Sequence, residues 1–328
     1  MLVEALARRR AAGIEPFAVL CCDNMPHNGQ RTRRAVVSLA RHRDVALAEW
    51  IDTNVAFPSS MVDRIVPAMT DADRTRLVEM GVDDPAAVVC ETFSQWVVED
   101  DFPLGRPEWE ADGVEMVADV APFETMKLRL LNGAHSLLAY LGALAGIETV
   151  DAAVARPAFR QLLQHYWRQE AIPTLSLPAG TDASAYTDSL LTRFGNDSLR
   201  HRLQQIAMDG SQKLPQRWLV GGVERLTAER ESDMAATALG VAGWIRYTAG
   251  TDLAGRPHPV DDPMAETFAE LHRCHGDDPR ALVAAFLALD AVFPAALREE
   301  THFSDRVAGA LSIIESDGIE AAIAALPY

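Results

Sequence analysis

PFETMKLRLLNGAHSLLAYLGALAG, residues 122–146, decides how this chain is read. Its apolar residues recur at helical spacing, and Pro122 suits a first turn, where a missing N–H costs nothing. The stretch is predicted to be one long amphipathic helix. Upstream of it the pattern differs. PFAVLCC (16–22), MVDRIVP (61–67), AAVVCET (86–92) and GVEMVADV (113–120) are short runs rich in β-branched residues and are predicted as strands. Residues 2–12, 30–51 and 71–80 read as helix. Strands alternating with helices imply a mostly parallel sheet with helices on its faces. Downstream, 156–170, 183–194, 197–209, 215–230, 233–249, 263–274, 279–292 and 303–327 all read as helix. GTDLAGRPHPVDDP (250–263) is a Gly/Pro-rich connection among them. The chain therefore divides near residue 121 into an α/β unit, 1–121, and a mostly α-helical unit, 122–328.

The same stretch holds Lys127. Only Lys127 and Lys213 are lysines; the other 28 of the 30 basic residues are arginines. Either two lysines escaped an arginine bias, or they mark positions where a permanent charge would not serve. Arginine stays protonated at any working pH, whereas burial can bring a lysine ammonium to give up its proton. The net charge of −17 argues against nucleic-acid and anionic-membrane partners, and an anionic substrate needs a local basic pocket. The four cysteines, Cys21, Cys22, Cys90 and Cys274, show no CxxC spacing. No disulfide framework and no metal site is expected, and a reducing cytoplasm fits best. The cluster His272, Cys274 and His275 reads as incidental. MLVEALARRRAAG is not a signal peptide, and no apolar run is long enough to span a membrane.

Three residues of the long helix can do chemistry together. In α geometry Asn132 lies about 140° around the helix from Lys127, and His135 about 80°, between the two. A buried lysine can serve as general base toward an alcohol. An asparagine amide can donate to an oxygen that becomes anionic as hydride leaves the adjacent carbon. His135 can orient a substrate hydroxyl, and Glu124, one turn before Lys127, can relay its proton to water. The bland alternative is an apolar helix with a polar solvated side. CCDNMPHNG (21–29) follows the first predicted strand, at the strand end where α/β sheets place ligands. Asn24 and Asn28 can each supply an amide there, and Gly29 lets the chain turn. Asp63 interrupts an apolar strand, so it either pairs with Arg64 or faces a cleft. SLRHRLQQIAMDGSQKLPQRW (198–218) gathers Arg200, His201, Arg202, Lys213 and Arg217, which reads as an anion or polyol site or as a solvated basic face.

Together these blocks resemble the polyol-specific long-chain dehydrogenases, the mannitol dehydrogenase and fructuronate reductase family. The resemblance rests on K-x4-N-x2-H at Lys127, Asn132 and His135, on CDNMPHNG, VAFPSSMVDRIVP, ETFSQWVVEDDFPLGRPEW and RHRLQQIAMDGSQKLPQR, and runs from about residue 14 to about residue 250. MDGSQKLPQR and LGVAGWIRYTAGTD are most similar to the fructuronate reductases within it. The resemblance implies a Rossmann-type domain followed by a helical C-terminal domain, NAD as cofactor, a sugar-acid or polyol substrate and no metal. It implies Lys127 as general base, Asn132 and Asn24 as oxyanion donors and His135 as the substrate-orienting histidine. Asp63 and Lys213 are implied on the substrate side, with Arg202 and Arg217 as further cations for a carboxylate. No G-x-G-x-x-G turn occurs in the sequence, and the part of a family member that carries it has no counterpart here. The isolated chain is therefore expected to bind dinucleotide poorly and to self-associate through an open sheet edge near PFAVLCC. A non-catalytic remnant, acting as a sugar- or partner-binding domain, stays open as a second reading.

Overall fold

A computed structural model describes residues 1–227 and 234–327. The chain forms two compact units, Met1–Ile65 with Glu91–Thr125, and Val66–Cys90 with Met126–Tyr328.

The first unit opens with three helices, Leu2–Ala11, Asn28–Arg43 and Val45–Asn54. The single helix expected over 30–51 is two. Asp44 takes an extended conformation between them, and its carboxylate accepts the Ala46 N–H at 3.0 Å as the cap of the second. Val3, Leu6, Val36, Ala40, Leu47 and Ile51 bury the facing stripes of these helices against Val19, Val55 and Phe57.

Three strands form the sheet: β1 (Ser60–Asp63), β2 (Gln95–Glu99) and β3 (Glu115–Val117). β1 pairs antiparallel with β2, and β2 parallel with β3. The sheet is thus mixed rather than mostly parallel. Residues 16–22 and 86–92 are not strands. Val19 donates one backbone bond to Ala56 at 2.9 Å, but no neighbouring strand among the described residues completes a ladder beside 16–22. The middle strand QWVVE was not anticipated, because it lies in a block whose glutamates and tryptophan break the alternation that marks a strand.

The second unit is helical, as expected from Pro122 onward. Its core is the helix Ala235–Tyr247, nearly all of it buried, packed on Gly133–Leu144 and Thr301–Asp317. Trp244 meets Phe268, Phe286 and Phe293 edge-on or tilted, with ring centroids 5.3–6.1 Å apart. The N-terminus of Ala235–Tyr247 is held by Glu170, whose carboxylate accepts from Ala236 N, Thr237 N and Thr237 Oγ1 at 2.6, 2.9 and 2.7 Å. Of the expected helices, 197–209 shrinks to Leu203–Ala207 behind an irregular turn in which Arg200 has φ +45°. The end of the helix expected over 215–230 and the start of that over 233–249 lie outside the described residues.

The long helix over 122–146 is not a continuous α-helix. It runs as α over Ala121–Met126, as a π-helix over Lys127–Asn132, and as α again over Gly133–Leu144. Gly133 N–H reaches back five residues to Leu128 O. Two further π turns occupy Tyr166–Ala171 and Pro215–Leu219, closed by Ile172 N–H to Trp167 O and Val220 N–H to Pro215 O.

Candidate active site

A π turn takes up one residue more than an α turn, so whatever follows it is turned back by about 100°. The consequence for K-x4-N-x2-H is direct. Asn132, about 140° from Lys127 in α geometry, comes to about 40°; His135, about 80° away, comes to about 20° on the other side. The three side chains then share an arc of about 60° instead of spreading over 140°.

Lys127 opens the π turn and is 9% exposed. Asn132 closes it, half-buried, and its side-chain amide makes no hydrogen bond among the described residues. His135 is 6% exposed, stacked on Phe194 at 4.5 Å and met edge-on by His201 at 5.4 Å. Its Nε2 is buried with no hydrogen-bond partner among the described residues. Burial, with the nearby His201, Arg217 and Arg193 charges, holds the His135 pKa well below 6.5. Burial brings His201 to about 4. Both imidazoles are therefore neutral at physiological pH, and a neutral ring can donate or accept depending on its tautomer.

The basic cluster of the sequence is not one patch. Arg217 turns inward: its Nη1 donates to Asn132 O at 3.3 Å and to Ser136 Oγ at 2.7 Å, and burial lowers its pKa to about 10. Lys213 is half-buried, and its Nζ donates to Met208 O at 2.6 Å; burial and the Arg217 charge lower its pKa. Arg202 precedes the Leu203–Ala207 helix, is exposed, and lines a cavity of about 450 Å³ with Glu148, Arg256 and His258.

In the first unit, Asn24 is exposed in the turn after residues 16–22. Asn28, read from sequence as its equal, has a structural job. It is fully buried; its Nδ2 donates to Asp23 O and Ser60 O, and its Oδ1 accepts Ser60 N–H, all within 3.0 Å. Gly29 is needed for close approach, since a Cβ there would strike Phe57 O and lie 2.8 Å from Ser59 N. Asp63 is 1% exposed, while Arg64, on the opposite face, donates from Nε to Glu91 O at 3.0 Å. Glu124 is buried and accepts His27 N–H at 3.2 Å; burial is the main cause raising its pKa.

His272 bonds Thr248 Oγ1 and Ile245 O, and Cys274 bonds Glu270. Among the described residues no group of three His, Cys, Asp or Glu side chains is placed to hold a metal, and all four cysteines are free. None of the described helices is long and apolar enough to cross a membrane. The sequence pattern missed Ser136, Tyr166, Trp167 and Trp218, whose polar atoms all face the Lys127–His135 segment or its partners. Their one sequence signal is a YW and an RW pair in a chain with only 5 tyrosines and 6 tryptophans.

Comparison with known proteins adds the following. Residues 119–315 match the mannitol dehydrogenase C-terminal domain, and residues 1–111 the mannitol dehydrogenase Rossmann domain. The chain is 47% identical to D-mannonate oxidoreductase of Escherichia coli K12 over 326 residues, covering 99% of this chain and 66% of that protein. It superposes on Pseudomonas fluorescens mannitol 2-dehydrogenase, solved as a ternary complex with NAD and D-mannitol, with a TM-score of 0.85 at 36% identity, covering 98% of this chain and 65% of that one. A substrate-free D-sorbitol dehydrogenase gives 0.86 at 34% identity, with the same coverage. The chain spans about two thirds of the length of these relatives.

Proposed function

The chain belongs to the mannitol dehydrogenase family, with a Rossmann-type N-terminal and a helical C-terminal domain, and from that premise we propose that it is an NAD-dependent secondary-alcohol oxidoreductase. Its reaction interconverts a ketose or ketouronate with the matching polyol or aldonate, fructuronate and mannonate ahead of fructose and mannitol. One observation carries this reading: the π turn sets buried Lys127, the unbonded Asn132 amide and the unpartnered His135 Nε2 on one face of one helix. The E. coli relative named for mannonate, at 47% identity, supports the sugar-acid preference.

In the oxidative direction Lys127 takes the proton of the reacting hydroxyl as general base. Asn132 and Asn24 donate to the oxygen as it gains charge, and His135, neutral, fixes a neighbouring hydroxyl. Glu124, three residues before Lys127 and held protonatable by burial, passes the proton on to water. Asp63, Lys213 and Arg202 are assigned to the substrate side. NAD supplies the chemistry of hydride acceptance when bound. No strand in this sequence leads through G-x-G-x-x-G into a helix, so the residues present offer no cradle for a pyrophosphate. The substrate and proton half of the reaction is what this chain's own residues provide.

A second reading is a sugar-acid binding domain without turnover. One experiment separates the two. The chain is joined to the glycine-rich N-terminal third of the E. coli relative and assayed for NADH formation from D-mannonate and D-mannitol. Faster turnover of mannonate is expected. Equal efficiency on both would sink the sugar-acid preference, and calorimetric mannonate binding without any turnover would establish the second reading.

A further inference from the structure

We propose that Tyr166, Trp167, Arg217 and Trp218 are positioning residues: they hold Lys127–Asn132 in π register and so set the angle between the lysine and the Asn132 amide. The inference deepens the reading of Lys127 as base and rests on it for its functional meaning. Its structural content stands on four bonds. Tyr166 Oη donates to Arg129 O at 2.7 Å, Trp167 Nε1 to Leu130 O at 2.8 Å, Arg217 Nη1 to Asn132 O at 3.3 Å, and Trp218 Nε1 to Gly133 O at 3.1 Å.

The pattern is specific. A π turn shifts the backbone ladder by one residue, so carbonyls within it lose their α-helical partners, and Asn132 O and Gly133 O stand where the α ladder resumes. Buried carbonyls need replacements. Every one of the four donors comes from the other two π turns, Tyr166–Ala171 and Pro215–Leu219, and from adjacent residue pairs in each. Tyr166, Trp167 and Trp218 are at most 3% exposed, so a return to α register would strand their O–H and N–H groups as well as the site. Gly133 is the opening through which Tyr166 enters, for a Cβ there would collide with the phenol oxygen. Arg129, inside the turn, is pinned separately by two bonds to Glu224 at 2.7 and 2.8 Å. Arg217 thus serves the active helix from behind, and its second bond, to Ser136 Oγ at 2.7 Å, ties the π turn to the α-helix that carries His135.

The test uses the 328-residue chain without turnover, so it can be read whatever the fate of the oxidoreductase assignment. With only two lysines, labelling lysine at Cε with carbon-13 gives two resonances, one for Lys127 and one for Lys213. Tyr166→Phe removes one donor and no charge. Expected are a tenfold or greater acceleration of amide exchange confined to residues 128–136, and a displaced Lys127 titration with Lys213 unmoved. Arg217→Lys, which keeps the charge, is the second variant, and its exchange effect should centre on 132–136. Unchanged exchange and an unchanged Lys127 titration would overturn the inference. So would acceleration spread evenly over the whole unit, which is what loss of stability alone produces.

Discussion

Acidification is expected to weaken the fold through His201, by an amount that follows from its surroundings. The unfolded imidazole titrates near 6.5, whereas burial holds the folded one at about 4. Above about pH 6.5 both states are neutral and the group contributes nothing pH-dependent. Below it the unfolded chain takes up a proton that the folded chain refuses, so stability present at neutral pH is lost as pH falls toward the folded value. Each unit is worth about 1.4 kcal/mol, and the gap of about 2.5 units gives at most about 3 kcal/mol. His135 shifts in the same direction and adds to the loss. Carboxylates titrate in the lower part of this window, so the informative quantity is a difference. Urea unfolding of the parent and of His201→Gln is compared between about pH 7 and about pH 4.5. The parent should lose about 2 kcal/mol more than the variant over that range. Equal slopes would refute the reasoning, because His201 would then be protonated in the folded chain and the site would not be dry.

Other outcomes follow from the geometry. In the fusion with the E. coli N-terminal third, Lys127→Met should reduce mannonate oxidation by about 10²–10⁴-fold, and a variant with parental turnover would remove Lys127 from the base role. Gly29→Ala pushes a methyl into Phe57 O and Ser59 N and should cost about 1–3 kcal/mol in chemical denaturation; an unchanged midpoint would show that the turn yields freely. Glu170→Ala strips three acceptor bonds from the start of the Ala235–Tyr247 helix and should cost about 2–4 kcal/mol, whereas a loss under about 0.5 kcal/mol would mean the cap is dispensable. NADH should bind the 328-residue chain weakly, and the chain should associate in sedimentation experiments; saturable micromolar binding by a monodisperse monomer would show that no glycine-rich turn is needed.

The change of period at Pro122 was legible because helical spacing is a local property, and the helices of the second unit follow it. Strand assignments fared worse, since a strand exists only through its neighbours. Residues 16–22 have the composition of a strand but no ladder among the described residues, while QWVVE, with two polar ends, is the central strand because β1 and β3 flank it. K-x4-N-x2-H was visible as a chemical set, yet α geometry scattered it. Spacings of five and eight are themselves the signature of one extra residue per turn, and that clue was in the sequence. Arg217 and Asn28 show the reverse limit. Residue type gives what a side chain can bond, and only the packed chain shows that Asn28 is consumed by Ser60 and Asp23 and that Arg217 Nη1 bonds Asn132 and Ser136.

The π turn at Lys127–Asn132 has a consequence for how this chain can diverge. The apolar identities at 128, 130 and 131 are open to exchange among residues of similar volume, while the number of residues between Lys127 and His135 is tied to the helical register. Removing one between Lys127 and Asn132 would let the backbone relax into the commoner helix, keep most of the buried surface, and, at spacings of four and seven, leave Asn132 and His135 at the same angles from Lys127, about 40° and about 20° on the other side. Such a descendant would keep the shared face and leave the Tyr166 and Trp167 donors without the carbonyls they now bond. Length and register are therefore one linked constraint on this helix: a change of either without the other would spread the three side chains apart, whereas a matched change would keep them together.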